Sequence, residues 1–269
     1  MRIIKNIIII LIINCLSIFA SNIDFIDFNL SIPIGGSYNF LNGSINENKV
    51  AANPSLLIPI PSLKSGISFE IGVLAQLGYN FKLENKILKS TSTMIDFGYY
   101  MYPMAVNYNQ NILGNEDVKS TIIFHTINIG AIQKLYLGNN FAIGLGGGIK
   151  IPMSFTFDNI DSKVNNPLPH DNKGNRDYIK ALYDSKVIPY VKLTLESFFF
   201  VHDIIALNIG MYISYSIGMN YNVYKLNDEL SKANNVQYTE YYNKLNSSSL
   251  GVGFILGASF GRVNPKLQN

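Results

Sequence analysis

The chain contains no tryptophan, and its single cysteine, Cys15, lies near its start. Charged residues are also scarce, at 14% of the chain against about 25% in ordinary soluble domains. Each scarcity excludes something. If Cys15 leaves with a signal segment, the mature chain has no thiol and no disulfide. Lysine plus arginine (21) nearly balances aspartate plus glutamate (18), and there is no basic run or basic-aromatic cluster, which argues against a nucleic-acid partner. What is present instead is apolar and aromatic: 48% of the residues are hydrophobic, with 17 tyrosines and 16 phenylalanines.

The first residues read as a secretory signal spanning 1–20. Arg2 and Lys5 supply a positive start, Ile7–Ile13 an apolar run, and Ala20 a small residue before a cut, with Ile18 a loose match three positions from it. Two alternatives stay open: a retained anchor helix, for which the apolar stretch is short, and lipidation at Cys15, for which Asn14 is a poor preceding residue. The remainder reads as one domain over 21–262 with a short tail, 263–269.

Periodicity carries the fold. In residues 141–157, Phe141, Ile143, Leu145, Ile149, Ile151, Met153, Phe155 and Phe157 alternate with small or polar residues such as Gly144, Gly146, Lys150 and Ser154. A period of two places these sets on opposite faces of one strand. Eight segments alternate in this way, at about 26–40, 66–81, 87–103, 120–137, 141–157, 187–200, 205–219 and 249–260. The fourth is the least regular, because Phe124 falls on its polar side.

Short turns are expected near Glu84–Lys86, Gly138–Asn140 and Val201–Asp203, and long polar connections at about 42–65, 104–119, 158–186 and 222–248. Apolar faces with no helical layer to cover them imply lipid, and a sheet in lipid must close on itself because no water satisfies its backbone edges. The expected fold is therefore all-β: an eight-stranded antiparallel up-and-down transmembrane barrel with four long extracellular loops and an interior filled by side chains. Without tryptophan, the interfacial girdles fall to Tyr99, Tyr102, Phe155, Tyr215 and Tyr221 at the outer rim, and to Tyr79, Phe81, Tyr136, Phe141 and Phe199 at the periplasmic rim. A helical span over Ile204–Met219 is the first competing fold, opposed by strict alternation, five isoleucines and two glycines. A soluble β-sandwich is the second, opposed by strand length and by uncharged apolar faces.

The pattern resembles the small bacterial outer-membrane barrels, the OmpA-transmembrane-domain and OmpX-like group. The last strand is the most specific part. Phe254, Leu256, Ala258 and Phe260 resemble the C-terminal signal read by the barrel-insertion machinery, although here a tail, Gly261–Asn269, follows the final aromatic. The resemblance implies bacterial outer-membrane lipid and that machinery as partners. The peptidoglycan-binding domain of the OmpA pattern is not expected here.

Four charges fall on polar faces at similar heights: Glu70, Asp96, Lys150 and Lys192. They are expected to form one cross-barrel cluster, acting as a plug or, in the functional reading, as the gate of a narrow pore. Inward glycines on the fifth, seventh and eighth segments are expected to make room for Tyr190, Lys192 and Tyr212. The three histidines give no catalytic pattern: His125 near an outer strand end, His202 in a turn, and His170-Asp171 in a loop with Asp161 and Asp177. No enzyme activity, cofactor or metal is expected. Helical spacing appears at Arg176–Asp184 and Asn227–Ala233, and Leu56–Pro61 is a greasy loop segment. The functional expectation is a structural or surface-interaction protein whose long loops carry any extracellular ligand. The alternative is a narrow channel for small or hydrophobic solutes.

Overall fold

A computed structural model describes residues 23–45, 66–83, 87–109, 117–138, 140–159, 173–175, 180, 183–202, 205–225 and 242–260. The expected signal segment, Cys15, the C-terminal tail, Leu56–Pro61, Asn227–Ala233 and the loop residues Asp161, His170, Asp171 and Asp177 lie outside the described residues, as does most of Arg176–Asp184.

The strands are β1 (Ile23–Ile45), β2 (Gly66–Lys82), β3 (Leu88–Asn109), β4 (Asp117–Leu137), β5 (Phe141–Asn159), β6 (Lys173–Asn175), β7 (Ile188–His202), β8 (Ile205–Ser216) and β9 (Tyr242–Phe260). Eight of them pair antiparallel with their chain neighbours, β5 with β7, and β1 pairs with β9 to close the ring. The short β6 is an addition to the eight expected strands; among the described residues it pairs with Ser154–Thr156 of β5. The turn between β4 and β5 begins at Gly138, whose φ of 57° is the left-handed conformation that glycine adopts without a Cβ penalty.

Alternation translates directly into inside and outside. On β2, Ile67, Phe69, Val73, Leu77 and Tyr79 are exposed on the outer wall, while Ser68, Glu70, Gln76 and Asn80 are buried within. The same holds on β7 and β8. Through the middle of the barrel wall the outward positions of the described strands carry no Asp, Glu, Lys or Arg; the exposed Lys82, Lys89 and Lys244 lie at or near strand ends. In that middle stretch His125 is the one ionisable side chain other than tyrosines among the described residues.

The alternation fails where the backbone slips. Between His125 and Thr126 the β4–β5 register shifts, leaving Met153 as an extra residue on β5. Pro152 sits at this bulge, where its missing N–H costs no ladder bond. Beyond it the faces exchange, so Phe155 is buried rather than part of an outer girdle. Phe155 packs on Phe124, whose inward position explains the irregular fourth segment, and Phe124 packs on Tyr183. Met219, expected to face out, is also buried, because β8 stops at Ser216. Tyr102, Phe81 and Tyr136, expected in girdles, are buried as well, whereas Tyr99, Tyr215, Tyr79, Phe141 and Phe199 are exposed on the outer wall.

The wall is uneven at the end away from the short turns. β3 and β4 remain paired out to Asn109–Asp117, and β1 and β9 out to Ile45–Tyr242, so most of the expected loop at 104–119 and the ends of those at 42–65 and 222–248 are strand. The β2–β3 ladder ends lower, at Ile71–Met101, and β7 and β8 stop at Ile188 and Ser216. In the dip left by β7 and β8, Tyr183 bridges Tyr221, and the Asp184 N–H donates to the Asn220 carbonyl at 2.9 Å.

Candidate functional site

The barrel interior is a stack of polar layers. At the short-turn end, Asp27 accepts hydrogen bonds from Ser92 Oγ (2.9 Å), Tyr136 OH (2.6 Å) and Ser259 Oγ (3.4 Å). These donors lie on β3, β4 and β9, so one β1 carboxylate ties four strands together. Tyr136, Ala142, Phe198 and Ala206 form an apolar cluster beside it.

In the next layer, Lys134 Nζ donates to Glu196 Oε2 at 2.8 Å. Asn208 Nδ2 (2.7 Å) and Thr194 Oγ1 (3.0 Å) add two further donors to that carboxylate. Both charges are buried, and hydrogen bonds that satisfy the carboxylate are what a buried ion pair needs to offset its desolvation. Asp96 forms the third layer. It pairs with Lys192 across the barrel and accepts from Gln76 Nε2 at 2.7 Å; Gln76 in turn accepts from Asn29 Nδ2 at 3.2 Å. Asp96 is wholly shielded from solvent.

The upper layer is built differently. Glu70 accepts from Tyr212 OH at 2.5 Å. The Lys150 ammonium lies 4.2 Å from the centre of the Tyr102 ring, with the Tyr190 and Tyr100 rings at 5.8 and 5.9 Å. Such contacts attract through the ring quadrupole. Tyr102 itself donates to Ser249 on β9. A cavity of about 30 Å³ remains here, bordered by Glu70, Gln76, Tyr100, Lys150, Lys192 and Tyr212. It has room for about two water molecules.

All four expected interior charges are therefore inside the barrel, and three of them, Glu70, Lys150 and Lys192, border the same cavity. Asp96 and Lys192 pair, while Glu70 and Lys150 each have another partner. Lys134, Glu196 and Asp27 belong to the same polar interior and are not among the expected site residues, although alternation places each on an inward face. The glycines that make room are also partly different. A Cβ on Gly35 or Gly130 would come within 2.6 Å of the Tyr212 or Tyr190 hydroxyl, and one on Gly251 within 2.7 Å of Glu70 Oε1. Phe254, Leu256 and Phe260 of the expected insertion signal face outward on β9, with Ala258 partly exposed between them.

Two side chains noted for other reasons are also placed. His202 ends β7 as an exposed residue rather than sitting in a turn. His125 lies on the outer wall, its Nδ1 2.5 Å from Tyr99 OH, with the two rings stacked at 6.1 Å.

No family model matches the chain, and no curated protein matches it. Among solved structures, it is similar to Neisserial surface protein A (10% identity, TM-score 0.32, covering 87% of this chain and 96% of that one). It is also similar to the outer membrane protein OprG from Pseudomonas aeruginosa (8% identity, TM-score 0.37, 90% and 98%). A third is the outer membrane protease OmpT from Escherichia coli (9% identity, TM-score 0.38, 89% and 97%). The chain shares the architecture of small outer-membrane barrels. That statement rests on its closed antiparallel ring, apolar outside and polar inside.

Proposed function

We propose that the chain is an integral β-barrel of the bacterial outer membrane with a structural or surface-interaction role carried at its long-loop end. The observation behind this reading is the filled interior. Carboxylates and lysines from facing walls are joined through the barrel axis, and the space left among them is about 30 Å³, far below a solute-sized passage. The strands meanwhile run past the membrane. β3, with 22 residues at about 3.4 Å each and tilted about 45°, rises roughly 50 Å against an apolar band of about 25 Å. The excess stands at the rim, where it is available to extracellular ligands.

The test is gel mobility of the detergent-purified chain, unheated and boiled, followed by planar-bilayer recording. A heat-dependent shift with near-zero current supports the reading. Steady current from the wild-type barrel favours the narrow channel instead. If Lys192→Met raises the current, the Asp96–Lys192 pair is a gate; unchanged, near-zero current in both proteins removes that role.

A further inference from the structure

The outer wall carries two polar pairs between β3 and β4, and they differ in one respect. In the Thr93–Gln133 pair both side chains donate to protein acceptors, Thr93 Oγ1 to Gln133 Oε1 at 2.6 Å and Gln133 Nε2 to Thr91. Tyr99 and His125 cannot do so. A neutral imidazole has one N–H and a phenol one O–H, and their single mutual bond at 2.5 Å uses one of these two hydrogens. If Tyr99 donates to Nδ1, the imidazole Nε2–H remains; if Nδ1 donates, the phenol O–H remains. In either tautomer one donor hydrogen stays unclaimed, and no acceptor among the described residues takes it.

The surroundings restrict what can accept it. Tyr99 is 45% exposed, on the same outward face as Phe97 and Ile129. It lies eleven residues beyond Leu88 on β3, a rise of about 26 Å, which reaches the outer edge of a roughly 25 Å apolar band counted from the start of that strand. The β5 bulge turns Ser154 toward this face, and Ser154 is the residue paired with His125 in register. An unmet donor is costly in hydrocarbon, and the acceptors found at the lipid boundary are headgroup oxygens and interfacial water.

We propose that Tyr99, His125 and Ser154 form a binding site for the phosphate of an outer-leaflet membrane lipid, with the spare hydrogen of the Tyr99–His125 pair donated to a phosphate oxygen. Phosphate is favoured because a hydrogen bond to an anionic oxygen is about twice as strong as one to a neutral acceptor. The site rests on the reading of the outer wall as lipid-facing.

The experiment measures binding of lipid A, with its phosphates intact or removed, to the folded barrel in detergent by native mass spectrometry. Wild type is compared with His125→Phe, Tyr99→Phe and Tyr215→Phe, the last an outward tyrosine on β8. Heat-dependent gel mobility first establishes that each variant is folded. The expected result is about tenfold weaker binding of intact lipid A by His125→Phe, a smaller loss for Tyr99→Phe, no loss for Tyr215→Phe, and no difference among the four on dephosphorylated lipid. Equal binding of intact lipid A by wild type and His125→Phe overturns the site, as does an equal loss on both lipids. A wild-type chain without heat-dependent mobility overturns the membrane reading itself, and the site with it.

Discussion

The lower and upper halves of the barrel interior solve the same electrostatic problem in different ways. Near the short turns, lysine meets carboxylate directly, as Lys134 with Glu196 and Lys192 with Asp96. Toward the long loops, Lys150 is surrounded by tyrosine rings and Glu70 is held by a phenol. Neither member of the upper set has an ion-pair partner among the described residues. The difference shows how much removing one group should cost. In a direct pair, each charge depends on the other. In the aromatic layer, the direct contacts of each charge are neutral phenols and rings, which stay neutral when it is lost.

The largest expected effect is at the direct pair. Lys192→Met leaves Asp96 buried with Gln76 as its remaining donor and should lower stability by about 3–5 kcal/mol, measured by urea unfolding in lipid vesicles. The double variant Asp96→Asn/Lys192→Met should recover most of that loss, because no uncompensated charge remains. If the double variant is as weak as the single, the pair contributes through shape and the contrast between the halves fails.

An intermediate effect is expected at Tyr212→Phe. It removes the hydroxyl that donates to Glu70 and should cost about 1–3 kcal/mol in the same assay. The smallest effect is expected at Lys150→Met. It gives up ring attraction and also relieves a buried ammonium, two opposing contributions that leave a change within about 1 kcal/mol. A loss at Lys150 as large as that at Lys192 would mean that water in the cavity joins it to Glu70 as an ion pair, and the two halves would then be alike. Raising the salt concentration sharpens the comparison further: the Lys192→Met loss should be nearly unchanged by it, since a pair this deeply buried is little screened.

Side-chain alternation made most of this fold legible. The inward placement of Glu70, Asp96, Lys150 and Lys192, and the closed count of eight, follow from a period of two and from alternating connection lengths. Two kinds of information were not carried by that period. The first is register. Which lysine reaches Asp96 depends on how far adjacent strands slide past one another, and Lys150 and Lys192 are equivalent in sequence terms. The second is what happens outside lipid, where water satisfies both faces. There β1, β3, β4 and β9 continue without a clear pattern, so their outer ends read as loops. Pro152 was a local sign of the bulge, since a proline within a paired strand calls for one. Taking it into account would have turned Phe155 inward and Ser154 outward.

The bond between Asp27 and Ser259 joins residues separated by 232 positions. The ladder it belongs to, β1 with β9, cannot begin to form until nearly the whole chain has been made. Contacts this distant in sequence slow folding, because the loop between them must be closed before it is rewarded. Until β9 docks, β1 therefore keeps one edge unmatched. A cell making this protein must keep that edge from pairing with the wrong chain until the last strand arrives.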